Sequence, residues 1–269
     1  MSLPDVVHDW FLAEARDLPW RRAETTPWGV MVSEFMLQQT PVARVEPVWT
    51  AWMATWPTPA ALAAASRADV LRAWGKLGYP RRALRLHAAA EAIRDMHGGV
   101  VPSDVDALEG LPGVGAYTAR AVAAFGYGRR CPVVDTNVRR VVARAVHGAG
   151  DAGPARVAAD LADVDALLPA DHARAAVISA GLMELGAVVC TARAPRCGIC
   201  PLAEACPSRG RRYEPLRKQS RFEGSFRQRR AQVLRSVAAG EQPTDGDALV
   251  SLERDGLVVL TNGVASLPG

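Results

Sequence analysis

The sequence predicts an all-α protein that closes on a cysteine-rich loop and then changes character into a small α/β tail. Three observations carry that prediction. Apolar residues recur at helical spacing through the first two hundred residues, with no strand-like alternation. The run Leu111-Pro112-Gly113-Val114-Gly115 joins two such helical segments. Four of the five cysteines, Cys190, Cys197, Cys200 and Cys206, fall close together as C-x6-C-x2-C-x5-C.

Taken in order, residues 5–16 form a short amphipathic opening helix. Ser33 reads as an N-cap ahead of Glu34-Phe35-Met36-Leu37-Gln38-Gln39. Pro41 opens the next helix, which carries Val45, Val48, Trp49, Trp52 and Met53. Residues 60–74 give one or two short helices and residues 83–97 a longer one. The glycine hairpin lies within 104–125, a helix over 136–146 follows, and 155–189 is helical with an interruption at Pro169. Residues 209–230 hold nine arginines and lysines against Glu214 and Glu223, which reads as a basic linker, either a solvated tether or a phosphate contact. Helices near 227–238 and 245–255 come next. Leu257-Val258-Val259-Leu260, a Thr261-Asn262-Gly263 turn and residues 264–267 then make a hairpin. Two helices and a hairpin in this order suit a winged-helix-like module. The predicted organisation is a helical core over 1–189, a cysteine loop over 190–207, a linker over 208–225 and the module over 226–269.

The cysteine spacing brings four soft ligands together, fit for zinc or for the corners of an iron–sulfur cluster. Spacing alone does not choose between them. A disulfide pair is the plainer reading, disfavoured because no signal peptide points to an oxidising compartment. In the hairpin, glycines at alternate positions permit left-handed dihedrals and close backbone approach. The helix that follows starts with N–H groups that suit a phosphate oxygen, although an ordinary packing corner has the same pattern. The net charge of +4 favours a polyanionic partner only weakly. Of thirty-two basic residues only Lys76 and Lys218 are lysines, a skew that suits bidentate phosphate contacts and equally follows from genomic base composition. No secretory or membrane-spanning segment is evident, so the expectation is a soluble cytoplasmic protein.

The hairpin, the segment Val133-Val134-Asp135-Thr136-Asn137-Val138-Arg139-Arg140 and the four cysteines together resemble the endonuclease III superfamily of DNA base-excision glycosylases, over roughly residues 5–207. The resemblance implies a [4Fe-4S] cluster rather than zinc, and two helical subdomains with DNA bound across the cleft between them. Within the superfamily, Ser33-Glu34-Phe35-Met36-Leu37-Gln38-Gln39-Thr40 is similar to the signature of the adenine glycosylases. Tyr117 stands where strand-cutting members carry a nucleophilic lysine, and no lysine occurs between residues 77 and 217.

On that resemblance Glu34 is the general acid that protonates adenine, and Asp135 the carboxylate that stabilises the oxocarbenium-like sugar. Tyr117 and Asn137 hold the two acids in place. Taken singly, Glu34 near a helix start and Asp135 as an N-cap are ordinary helix chemistry. Trp74-Gly75-Lys76-Leu77-Gly78-Tyr79 resembles the family's wedge, with Tyr79 as the intercalating ring and Pro80 where many members carry a second tyrosine. Gln39 and Thr40 face the opposing base; Leu111, Gly113, Val114 and Gly115 clamp the DNA backbone. Arg81, Arg82, Arg193 and Arg196 are candidate phosphate ligands.

Many adenine glycosylases carry a further Nudix-like domain that recognises 8-oxoguanine, and the tail after Cys206 is too short for one. The expected activity is release of adenine opposite 8-oxoguanine or guanine from duplex DNA, by a monomer at the nucleoid without efficient strand cleavage. A thymine–guanine mismatch glycosylase and a non-catalytic iron–sulfur DNA-binding protein are the alternatives.

Overall fold

The computed structural model describes residues 1–211 and 221–269. Part of the predicted basic linker, residues 212–220, lies outside the described residues. In chain order the helices are α1 (Leu3–Glu14), α2 (Pro27–Leu37), α3 (Val42–Thr55), α4 (Pro59–Ala63), α5 (Arg67–Trp74), α6 (Arg81–Met96) and α7 (Val105–Glu109). They continue as α8 (Ala116–Ala121), α9 (Thr136–Ala145), α10 (Val157–Asp165), α11 (His172–Val188), α12 (Phe226–Ala238) and α13 (Gly246–Arg254). Strands β1 (Val259–Thr261) and β2 (Val264–Ser266) close the chain.

The chain divides into two compact units. The first comprises residues 1–27, 103–106 and 115–218. Its core gathers Val7 of α1, Val138, Val141 and Val142 of α9, and Ile178, Leu182 and Leu185 of α11. Two glycines let α11 approach its neighbours. A Cβ on Gly181 would lie 2.7 Å from a Val7 methyl, and one on Gly186 would lie 2.7 Å from both the Cβ and the carbonyl oxygen of Asn137. Only the missing side chain lets α11 lie against the start of α9. The helix begun by α8 widens into a π-helical turn over Val122–Gly126.

The second unit comprises residues 28–102, 107–114 and 219–269. Its buried residues include Trp28, Met31, Phe35, Trp52, Leu62, Trp74, Leu86 and Ile93. Trp52 meets Trp56 and Trp74 edge to face, at centroid distances of 4.9 and 5.5 Å. The C-terminal tail belongs to this unit. There α12 packs on α13, and Val233, Val237, Leu252, Leu257 and Ala265 are buried. The hairpin pairs Val259 with Ser266 and Thr261 with Val264. Asn262 and Gly263 both take positive φ, 51° and 79°, the handedness a two-residue hairpin turn requires. Gln242 donates to the Ala265 carbonyl and accepts from its N–H, which occupies one main-chain edge of β2.

The expectation that Ser33 begins a helix is corrected. α2 starts at Pro27, and Ser33 is fully buried inside it. Proline is preorganised for the first helical turn. The serine hydroxyl donates to the Val30 carbonyl at 2.7 Å, so its polar group is satisfied within the helix instead of capping it.

Candidate active site and cysteine loop

In the first unit Asp135 sits in extended backbone directly before α9 and caps it. Its Oδ1 accepts from the N–H groups of Asn137 and Val138 at 2.8 and 2.7 Å, and its Oδ2 accepts from the Asn137 side-chain amide at 2.7 Å. Both carboxylate oxygens are thereby fixed in direction. Burial pushes the Asp135 pKa above the ordinary aspartate value, although the hydrogen bonds from Val138 and Asn137 and the charge of Arg140 pull the other way. Asn137 accepts in turn from Arg140 at 2.7 Å, and Arg140 donates to the main-chain carbonyls of Gly186 and Cys190, both at 2.7 Å. One guanidinium thus joins the carboxylate's partner to α11 and to the first cysteine. Tyr117, on α8 in the same unit, places its hydroxyl 3.8 Å from Met183 Sδ.

Elsewhere in this unit Glu184 is buried, 1% exposed, against Arg16 and Arg21. Burial alone would raise its pKa. Hydrogen bonds and charge from the two arginines outweigh that and bring it to about 2.

The four clustered cysteines line one cavity with Arg144 and Arg196. Among the described residues no three His, Cys, Asp or Glu side chains are grouped to hold a single metal ion, and the four cysteines share the lining of one cavity. Burial pushes the Cys200 thiol up to about 11, and the charges of Cys190, Cys206 and Cys197 add to the shift. Ionising four crowded sulfurs carries a repulsive cost that bound cations would relieve. The donor set therefore fits an iron–sulfur cluster. Buried Arg144 holds the loop's first turn, donating to Thr191 and Ala192 carbonyls at 2.8 and 3.1 Å and lying 3.6 Å from Cys190 Sγ. Arg193 is exposed, whereas the Arg196 guanidinium is engaged with the Val188 carbonyl.

In the second unit Glu34 lies on α2 and is 6% exposed. The chain leaves α2 through Gln39, which takes a left-handed φ of 57°, and Tyr79, shortly before α6, takes 47°. Non-glycine residues rarely adopt this region. Arg82 organises both places. It donates to the carbonyls of Phe35, Met36 and Gln38 at the end of α2, to Thr40 Oγ1 at 2.9 Å, and to the Gly78 carbonyl at 3.0 Å. Its guanidinium also lies 5.1 Å from the Trp74 ring centroid and 5.5 Å from that of Tyr79. Burial lowers its pKa to about 10, which leaves it charged at neutral pH.

These placements change several sequence expectations. Arg82 is buried and engaged by main chain, so it is an internal staple and not a phosphate ligand. Thr40 is also buried, and its hydroxyl bonds Arg82 and the Leu77 carbonyl. Leu111 and Val114 are buried, and their N–H groups donate to the Leu108 and Leu111 carbonyls, so neither residue stands on the surface as a DNA contact. Gly113 has φ +77°, and a Cβ there would lie 2.6 Å from Arg85 Cβ. Gly115 is extended and ends the turn with no side-chain cap on α8. Arg81 is exposed and pairs with Asp255 at 3.3 Å. Tyr79 is 41% exposed.

Sequence reasoning gave Arg82 the wrong role and missed Arg140, Arg144 and Glu184. The three-residue step from Asn137 to Arg140 on one helix face was an available signal. Nothing in sequence separates buried Arg82 from its exposed neighbours.

Residues 32–164 match the family model of the HhH-GPD superfamily base excision DNA repair proteins, and residues 190–206 match that of the iron–sulfur binding domain of endonuclease III. The adenine DNA glycosylase of Mycobacterium tuberculosis is 54% identical over 280 residues, covering 97% of this chain and 91% of that protein. The adenine DNA glycosylase of Mycolicibacterium smegmatis is 59% identical over 228 residues, covering 84% of this chain and 76% of its own length. The solved structure of a thermostable thymine-DNA glycosylase superposes with a TM-score of 0.68 at 25% identity, covering 76% of this chain and 94% of that one. Helical fold, cysteine loop and extended sequence identity agree, and the chain belongs to the adenine DNA glycosylase family.

Proposed function

We propose that the protein removes adenine mispaired with 8-oxoguanine or guanine from duplex DNA, as a monomer, by hydrolysis of the N-glycosidic bond without efficient strand cleavage. The observation that carries this reading is the Asp135 carboxylate, buried and tied at both oxygens by Asn137 and the start of α9. Glu34 protonates the adenine ring, which makes it a competent leaving group. As the glycosidic bond breaks, positive charge develops on the sugar and Asp135 stabilises it electrostatically. Water completes the hydrolysis. With tyrosine at position 117 and no lysine from 77 to 217, no amine is supplied at the hairpin to form a Schiff base with the opened sugar.

Main-chain N–H groups around Gly113 and Gly115 hold a DNA phosphate, and the exposed Tyr79 ring fills the gap that the extruded base leaves. Gln39 reads the opposing base. Cys190, Cys197, Cys200 and Cys206 would hold the [4Fe-4S] cluster, and so tied they would brace the loop that displays Arg193. Among the described residues no helix is long and apolar enough to cross a membrane.

The test is single-turnover base release from duplexes carrying adenine opposite 8-oxoguanine, adenine opposite guanine and thymine opposite guanine, with and without alkali. Alkali-dependent breakage at adenine, fastest opposite 8-oxoguanine, is expected. Release of thymine alone, or strand breakage without alkali, overturns the proposal.

A further inference from the structure

The wedge segment and the C-terminal module belong to one compact unit, and they touch through charged groups. Arg227, on the first turn of α12, donates from Nη1 to the Tyr79 hydroxyl at 3.3 Å. Asp255, at the end of α13, accepts from Arg81 at 3.3 Å through one oxygen and from Arg230 of α12 at 2.5 Å through the other. Arg81 opens α6 two residues after Tyr79. α12 also packs on α5, the helix that leads into the wedge. The module therefore meets the wedge segment before it, on it and after it.

The wedge needs such support. Gly75, Gly78 and Tyr79 all take positive φ, and Tyr79 does so with a bulky ring that is 41% exposed. A left-handed non-glycine residue carries strain and persists where its surroundings over-determine it. Arg82 fixes the root of the segment from inside, through the Gly78 carbonyl and the face of the Tyr79 ring. The tip of the ring, its hydroxyl, is held from the module.

We propose that the C-terminal module is a positioning device for the wedge: Arg227 sets the direction of the Tyr79 ring through its hydroxyl, and Asp255 holds Arg81, so that the module contributes to mispair selection without reading a base itself. The inference rests on the reading of Tyr79 as the wedge. It gives the short tail a role in selection unlike that of a domain that contacts the lesion. Neither the Arg227–Tyr79 contact nor the Arg81–Asp255 pair needs to touch DNA for this to operate. The work is done in the free protein, by limiting where the ring points before it enters the duplex.

The test uses the full-length holoprotein and a fluorescent 2-aminopurine placed beside the mispaired adenine, whose signal rises when Tyr79 unstacks it. Single-turnover base release is followed in parallel. Arg227→Ala is expected to lower the unstacking signal and the preference for mispaired over fully paired duplex about three- to tenfold, the scale of one net hydrogen bond. Arg227→Lys is expected to recover part of the loss, because it retains a charged donor. The decisive comparison is the double variant. With Tyr79→Phe the hydroxyl is gone, so adding Arg227→Ala to it should change nothing further. Asp255→Asn should give a smaller loss in the same readouts.

Wild-type unstacking and preference in Arg227→Ala overturn the proposal. So does an equal loss from Arg227→Ala whether residue 79 is Tyr or Phe, since the arginine would then act elsewhere, for example on DNA phosphate. Failure of the catalytic reading looks different: no base release from any duplex, while the 2-aminopurine comparison still gives its own answer.

Discussion

The two units position their candidate functional groups by opposite means. In the first, Asp135 sits where a helix N-cap sits, in relaxed extended backbone, with hydrogen bonds that many helices make. Its distinction comes from what surrounds it: burial, Asn137 on the second oxygen, and Arg140 behind Asn137. In the second, Gln39 and Tyr79 stand in left-handed backbone that side-chain-bearing residues avoid, and buried Arg82 holds both places. On the proposed roles, the group that stabilises charge is fixed by regular structure, and the groups that meet DNA are fixed by strain and a staple. The difference teaches that left-handed backbone held by a staple is the costlier part to build and the more sensitive to substitution nearby.

The largest effect should come from the relaxed side. Asp135→Asn keeps an acceptor for the α9 cap, so the protein should fold and bind DNA, yet base release should fall roughly a thousandfold in single-turnover assays. If the rate survives, Asp135 is only a cap and the comparison breaks. In the wild type the acid limb of the rate should lie above 3.8, because burial holds the Asp135 pKa up and its charge is lost earlier as pH falls.

Arg82→Met tests the strained side. It removes the donor to the buried Phe35 and Met36 carbonyls and should cost about 3 kcal/mol in urea unfolding, with mispair preference falling alongside. Wild-type preference in the folded variant would mean the staple serves stability alone.

Glu184→Gln sharpens the comparison by showing that the first unit also contains costly electrostatics, placed away from its carboxylate cap. The folded pKa of Glu184 is about 2 against an ordinary 4.5, so its ionised form stabilises the fold above about pH 4.5 and that contribution is lost as pH falls through 2. The variant should be less stable than wild type by about 3 kcal/mol at neutral pH, and the gap in unfolding free energy should close on acidification. A gap independent of pH would place the effect in packing. The smallest effect is Gly113→Ala, which should cost about 2 kcal/mol from a left-handed backbone and the contact with Arg85, and should weaken DNA binding without changing the ratio between mispairs.

Much of this architecture was legible in the chain. Pro41 ahead of α3, Asp135 ahead of α9 and Asn262-Gly263 between β1 and β2 act through local backbone chemistry, and each element stands where those residues indicate. Ser33 misled because a buried serine can satisfy itself on the previous turn, and nothing local distinguishes that from a cap. Arg82 was illegible as a staple for a different reason. Most of its partners are main-chain carbonyls remote in sequence, which leave no mark on residue type.

That last property has an evolutionary side. A guanidinium that grips carbonyls reads the path of the chain and is indifferent to the side chains along it. Arg82 takes hold at Phe35, Met36, Gln38 and Gly78, and Arg140 at Gly186 and Cys190. Side chains at the gripped positions can therefore be exchanged without renegotiating the joint beneath them, while a lysine, with fewer donors on a single point, cannot inherit the arginine's place.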